Sequence, residues 1–161
     1  MPAKPAPRQK SEKPAGRGRN NRVDRCGLDS LLGFQLHRAS LALSRHFAKT
    51  MARLDLTQKQ TSVLWLIAAN PGISQITLAK ELDMDRASMM ALVDRLDARK
   101  VIRRERSRRD ARLQELLITA KGHKLLAQSK IAQRRHERHF RRFFTAAELA
   151  VLMEALARLH G

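Results

Sequence analysis

Along this chain the apolar residues recur at helical spacing in most segments and alternate in only one. Asp29 predicts an N-cap for a long first helix, about 30 to 53, with Phe34, Leu41 and Ala48 at heptad spacing. Thr57-x-x-Gln60 has the form of a capping box and opens a helix carrying Val63, Leu64, Trp65, Leu66 and Ile67. That helix is apolar nearly all round, which predicts a place in the middle of the domain. Asn70-Pro71-Gly72 is a stop-and-turn signal. Two short helices follow, roughly 75 to 82 and 86 to 99, and then two short strands joined by an arginine-studded turn. The second strand closes on Thr119-x-x-Gly122. A long polar helix, about 120 to 143, and a last helix capped by Thr145-x-x-Glu148 complete the chain. Leu149, Leu152, Leu156 and Leu159 form one stripe along that last helix.

Charge then separates the parts. The formal net charge is +18 over 161 residues, and four of the five prolines lie in the first 25. Those 25 residues hold eight Lys or Arg against Glu12 and Asp24, with Val23 their only aliphatic side chain larger than Ala after Met1. Such a segment buries too little apolar surface to offset the entropy of ordering, so residues 1–27 are expected to be a disordered basic arm. The rest of the chain is basic in its own right and long enough for one folded unit. A surplus of this size favours nucleic acid or an anionic surface as partner. No apolar run approaches the roughly 20 residues needed to span a bilayer, and no signal-type segment opens the chain, so no membrane partner is expected. Cys26 is the single cysteine and excludes an intramolecular disulfide, which fits a cytoplasmic, nucleoid-associated protein. No Gly-rich phosphate loop, nucleophile elbow or carboxylate pair suggests catalysis, so no enzyme activity and no resident cofactor are expected.

The segment QITLAKELDMDRASMMALVDRL, residues 75 to 96, has the spacing of two tightly crossed helices. Leu78, Leu82, Met84, Met89 and Leu92 fall at the positions for apolar contact, and Ala79 where the helices approach too closely for more. Asp83 stands in the turn, where it tolerates unusual backbone angles, and Asp85 can cap the second helix. Arg86, Ala87, Ser88 and Met90 then lie near the exposed end of that helix. Between residues 95 and 112, nine basic side chains face only Asp97, Glu105 and Asp110. A hairpin so charged cannot bury its tip, and duplex DNA is the first candidate to face it.

Taken together, LTQKQTSVLWLI (56 to 67), the helix pair, VIRRERSRRDAR and LLITAKG (116 to 122) resemble the MarR family of transcriptional regulators. Asp110-x-Arg112, followed by Ile118-Thr119 and Gly122, is similar to the family's wing signature and its spacing. The resemblance covers about residues 28 to 161. It implies a mainly α fold with a small β-hairpin wing: a winged helix-turn-helix over 56–119, with 28–55 and 120–161 forming a helical dimerisation region. It also implies a homodimer on double-stranded DNA, with one helix in the major groove and the wing in the minor groove. Two-fold symmetry then predicts a pseudo-palindromic operator with half-sites about one helical turn apart.

On that pattern Arg86, Ser88 and Met89 are expected at base edges or adjacent phosphates, Met89 thus standing both here and among the apolar contacts. Arg95 and Arg106 are expected to clamp the backbone, Arg112 to reach the minor groove, and Arg108 and Arg109 to reach the same groove or phosphates. Asp110 is expected to shape the wing. Lys100 stands where the family often has Gly. Family members usually answer to a small-molecule effector held near the first, second and fifth helices. Here Phe34, Arg38, Leu41 and Arg45 follow 4-3-4 spacing, so two guanidiniums share a stripe with two large apolar groups. With His37 and Trp65 they make a candidate site for an aromatic acid. The first helix also resembles members that respond to aromatic acyl-CoA thioesters such as hydroxycinnamoyl-CoA, whose phosphates would explain surplus Arg. Peroxide sensing is disfavoured, because Gly33 stands where such members place a Cys and the chain has no Tyr. His136-x-x-His139, inside RRHERHFRR, is expected to be a solvated basic face rather than a metal site. An architectural DNA-binding protein without effector is the alternative; RNA binding fits less well, since aromatic residues make up only 4%.

Overall fold

A computed structural model describes residues 23–106 and 114–160, the side chain of residue 160 excepted. The chain divides into two compact units, Met1–Leu36 and His37–Gly161. The described part of the first holds a 3-10 turn at Leu28–Ser30, where Arg25 meets Asp29 at 2.8 Å. Asp29 therefore lies inside that turn and does not cap the first helix, α1, which begins one residue beyond Leu31 and spans Leu32–Met51. The arm expected over 1–27 falls mostly outside the described residues.

In the second unit, α2 (Gln58–Ala69) begins at a complete capping box: Thr57 Oγ1 accepts from Gln60 N–H, and Gln60 Oε1 accepts from Thr57 N–H at 2.9 Å. It ends at Asn70, and Gly72 turns the chain at φ +88° into β1 (Ile73–Ser74). Next come α3 (Gln75–Glu81), α4 (Arg86–Ala98), β2 (Ile102–Arg106) and β3 (Gln114–Ile118). The strands form an antiparallel sheet in the order β1-β3-β2, with Ile73 opposite Leu116 and Ile102 opposite Ile118. The long α5 (Ala120–Arg141) and then α6 (Ala146–His160) follow, the second opened by the Thr145–Glu148 pair. Mainly helical, with one small sheet, this is the winged helix-turn-helix fold that the sequence implied.

Val63, Leu64 and Ile67 of α2, Leu78 of α3, Met89, Val93 and Leu96 of α4, Val101 just before β2, and Ile102 and Leu116 of the sheet are all fully buried together. α2 packs against α4, α5 and β3, so it holds the centre as its apolar sequence implied. One exception is Trp65, 39% exposed, which turns its ring out of that core. The terminal helices differ. Beyond Leu36, α1 buries only Phe47 and Met51, and α6 buries none of its described side chains. Leu149, Leu152 and Leu156 are half-buried and Leu159 is exposed, as are Val151 and Met153.

Candidate DNA interface and cavities

Two helices as short as α3 and α4 are not stable alone, so their ends need fixing. Ser74 caps α3 by accepting from Thr77 N–H at 3.1 Å. The turn passes through Asp83 at φ +47°, and Met84 N–H reaches back to Ala79 O at 2.8 Å. Ala79, buried, leaves room for that close return. Asp85 then caps α4, its carboxylate accepting from Ser88 N–H at 2.8 Å. Hydrogen bonds from Ser88 hold the Asp85 carboxyl below its ordinary pKa, so the cap stays ionised and complements the helix dipole.

The far end of α4 is tied more heavily. Lys100 adopts φ +57°, and Lys100 N–H and Val101 N–H close back on Asp97 O and Leu96 O. The position keeps the left-handed geometry that favours Gly, although Lys occupies it. Thr119 Oγ1 donates to Lys100 O at 2.8 Å, and Lys121 Nζ to Arg99 O at 2.8 Å. Arg99 itself donates to the carbonyls of Leu54 and Asp55, which anchors α4 to the link between α1 and α2. Gly122 closes the arrangement: a Cβ there would lie 1.9 Å from Val101 O. That contact explains the glycine of Thr119-x-x-Gly122.

This scaffold presents Arg86, Ser88 and Arg95 on the exposed side of α4, and Arg106 is exposed at the end of β2. Met89 does not belong with them. It is fully buried in the core, because α4 turns positions 89, 92, 93 and 96 inward. Its neighbour Met90, 53% exposed, takes the outward place. Arg104 on β2 forms an ion pair with Asp94 on α4, clamping the wing to the helix, while its Nε is buried without a hydrogen-bond partner. Arg103 pairs with Glu105 on its own strand. Three of the nine basic groups that make residues 95 to 112 so charged, Arg99, Arg103 and Arg104, thus hold structure. Arg108, Arg109, Asp110 and Arg112 lie outside the described residues.

Two cavities flank α1. One, of about 240 Å³, is lined by Leu43 and Phe47 of α1, Thr61, Ser62 and Trp65 of α2, and Gln133, His136 and Glu137 of α5, with Gln58. Lys130 Nζ lies 4.9 Å from the centroid of the Trp65 ring, a cation–π contact. Within the second unit, Arg38, Leu41 and Arg45 are exposed, and helical spacing turns them away from Phe47 and so from this cavity. His37 is exposed too, and Phe34 belongs to the first unit, half-buried, with the Arg25 guanidinium 6.0 Å from its ring. Of the candidate effector residues, Trp65 alone lines this cavity. The second cavity, about 560 Å³, lies between α1, the start of α2 and α4, with Phe47, Met51, Leu56 and Leu92 as apolar wall and Lys59 and Arg95 among its polar lining.

His136 is not a solvated basic residue. It is 5% exposed, with its Nδ1 2.9 Å from Nδ1 of His46 on α1, while His139 stacks on His46 at 4.1 Å between centroids. Burial first, then the neighbouring His46, lowers the His136 pKa; Glu137 opposes this and His139 adds to it. His139 is lowered as well, by desolvation, His46 and Arg142. The i, i+3 spacing on α5 was visible in sequence; the third ring, 90 positions earlier, was not. Among the described residues no group of three or more His, Cys, Asp or Glu could hold a metal ion.

Comparison with known proteins settles the class. A model of the MarR family matches residues 54–113. A putative transcriptional regulatory protein for the hcr operon of Thauera aromatica is 35% identical over 130 residues, 80% of this chain and 78% of the relative. The chain belongs to the MarR family. It is a DNA-binding transcriptional regulator, not an enzyme. Among solved structures, the transcriptional repressor CouR bound to a 23-mer DNA duplex superposes with a TM-score of 0.82 at 33% identity, covering 87% of this chain and 99% of that one. CouR bound to p-coumaroyl-CoA matches with a TM-score of 0.79 at 32% identity, covering 86% and 98%. No helix among the described residues is long and apolar enough to cross a membrane.

Proposed function

We propose that this MarR-family protein is a homodimeric repressor that holds a pseudo-palindromic operator and releases it on binding an aromatic acyl-CoA thioester of the hydroxycinnamoyl type, in control of aromatic-acid catabolism. The observation that carries this reading is the likeness to CouR over nearly its whole length, in both a DNA-bound and a p-coumaroyl-CoA-bound structure. The half-exposed apolar faces of α1 and α6 support a dimer, since a long helix gains most of its stability from a packed apolar face. In the dimer Arg86, Ser88 and Arg95 meet the major groove and its phosphates. Arg106, Arg108, Arg109 and Arg112 engage the backbone and the minor groove, with Asp110 shaping the wing.

For the effector, the α1–α2–α5 cavity is small. Binding sites for drug-sized ligands run to roughly 300–1,000 Å³, so about 240 Å³ suits an aromatic acyl group and leaves the CoA phosphates outside. Trp65 offers a ring face, while Ser62, Gln133 and His136 offer hydrogen bonds to a phenol. Lys130, beside the Trp65 ring, offers a cation for a phosphate. The exposed Arg38, Leu41 and Arg45 of α1, with His37, lie outside this cavity and would meet the CoA part of the ligand. Calorimetric titration with p-coumaroyl-CoA, run beside operator mobility shifts, tests this. Saturable binding with loss of the operator complex is expected. Absence of both would reject the effector, and uniform rather than discrete protection in footprinting would reject the operator-specific regulator.

A further inference from the structure

The outward face of α4 is short of hydrogen-bonding side chains. Residues 86 to 98 contain no Asn, Gln or Lys, and their two acids are Asp94, held by Arg104, and Asp97, half-buried near the helix end. Arg86 and Arg95 are exposed at the two ends, nine positions and thus about 13.5 Å apart along the helix axis. Between them Ala87, Met90 and Ala91 are exposed at i, i+3 and i+4 spacing and form an apolar patch on the side opposite Met89 and Val93, with Ser88 and the Arg104-bound Asp94 exposed at its margins. Met90, at 53%, is the one exposed large apolar side chain of this helix, whose other large apolar residues are all buried.

An apolar patch flanked by guanidiniums is a poor surface for solvent. In the major groove, the feature of a base pair that answers it is the thymine C5-methyl; bidentate recognition of adenine requires Asn or Gln, which α4 lacks. The ends of the helix still offer Arg for guanine or phosphate. We propose that Met90, with Ala87 and Ala91, is the specificity-determining element of α4 and selects thymine by contact with its methyl group. This rests on the reading of α4 as the groove-entering helix and adds which base feature it reads. Discrimination in the middle of each half-site then comes from methyl burial rather than from hydrogen bonds to base edges.

The test begins with operators selected by the full-length protein from a random duplex pool. In a selected site each thymine of a half-site is replaced by deoxyuridine, which removes the methyl and keeps the base pair. Burial of one methyl corresponds to roughly a four-fold change in affinity, so symmetric replacement in both half-sites should weaken binding by about ten-fold or more at one or two positions. Met90→Ala should lose that sensitivity at the same positions, while Met90→Leu should keep most of it. Sequence-selective binding that ignores deoxyuridine throughout, or a sensitivity unchanged in Met90→Ala, overturns the proposal and leaves the regulator reading intact. A pool that yields no preferred sequence overturns both.

Discussion

The winged core and the terminal helices solve burial in opposite ways. In the core, α2, α3, α4 and the sheet cover one another's large apolar side chains, and Leu64, Leu78, Met89 and Leu96 reach complete burial within a single chain. α6 has a comparable supply of Leu, Val and Met and buries none of it fully. Composition does not make the difference, because both regions carry helical apolar stripes. It arises from partners: the core helices are short, crossed and capped against each other, whereas the long helices extend past the core with a face uncovered. One region is complete as a monomer, and the other leaves an apolar face open, where the proposed dimer would form.

Changes in the core should therefore act on stability, and the largest effects are expected there. Met89→Ala should cost about 2–5 kcal/mol in chemical denaturation, as deletions of fully buried side chains do. Gly122→Ala, which drives a Cβ into Val101 O, should lose about 1–3 kcal/mol or more and lower the melting temperature. A core that tolerated both at full stability would erase the contrast. Changes in α6 should act on assembly instead. Leu152→Lys with Leu156→Lys should lower the mass measured by light scattering from dimer to monomer, and operator binding should fall with it. Retained dimer mass would remove α6 from the interface.

The histidine cluster ties α1 to α5 and gives a pH-dependent handle on the boundary between the two regions. His136 has a lowered pKa when folded, so below its ordinary value of 6.5 the unfolded chain takes up a proton that the folded chain resists. Stability should be full above that pH and decline as pH falls toward the folded value. His136→Phe should flatten the decline between pH 7.5 and 5.5 in thermal melts, and an unchanged slope would assign the acid sensitivity elsewhere. Smaller still, Lys100→Gly should stabilise the core by roughly 0.5–1 kcal/mol by relieving a left-handed residue. The smallest effect is the sharpest contrast with Met89: Met90→Ala should stay within about 0.5 kcal/mol of the parent in stability and register only in DNA selectivity.

Much of the fold was legible because its local signals are short-range chemistry. The capping boxes at Thr57 and Thr145, the N-cap at Asp85, the turn at Asn70-Pro71-Gly72 and the left-handed turn at Asp83 all involve groups a few residues apart. Asp29 failed as a cap because a preceding 3-10 turn claimed it. The basic candidates on α4 and β2 were legible as charges, but not as free or engaged.

By itself the sequence determined where the helices after the first begin, that a charged hairpin follows a crossed helix pair, and that the chain belongs with DNA-binding regulators. The first two rest on periodicity, capping and composition and the last on resemblance to a known family's motifs, none of which needs a distant partner. Met89 read both as an apolar contact and as a DNA contact, and only the tertiary structure, which buries it completely, removed it from the DNA face. The tertiary structure also turned Arg99 and Arg104 into ties, placed Val101 O against Gly122, and brought His46 to His136. Those contacts join elements far apart in the chain, and no local pattern encodes which side chain will meet which.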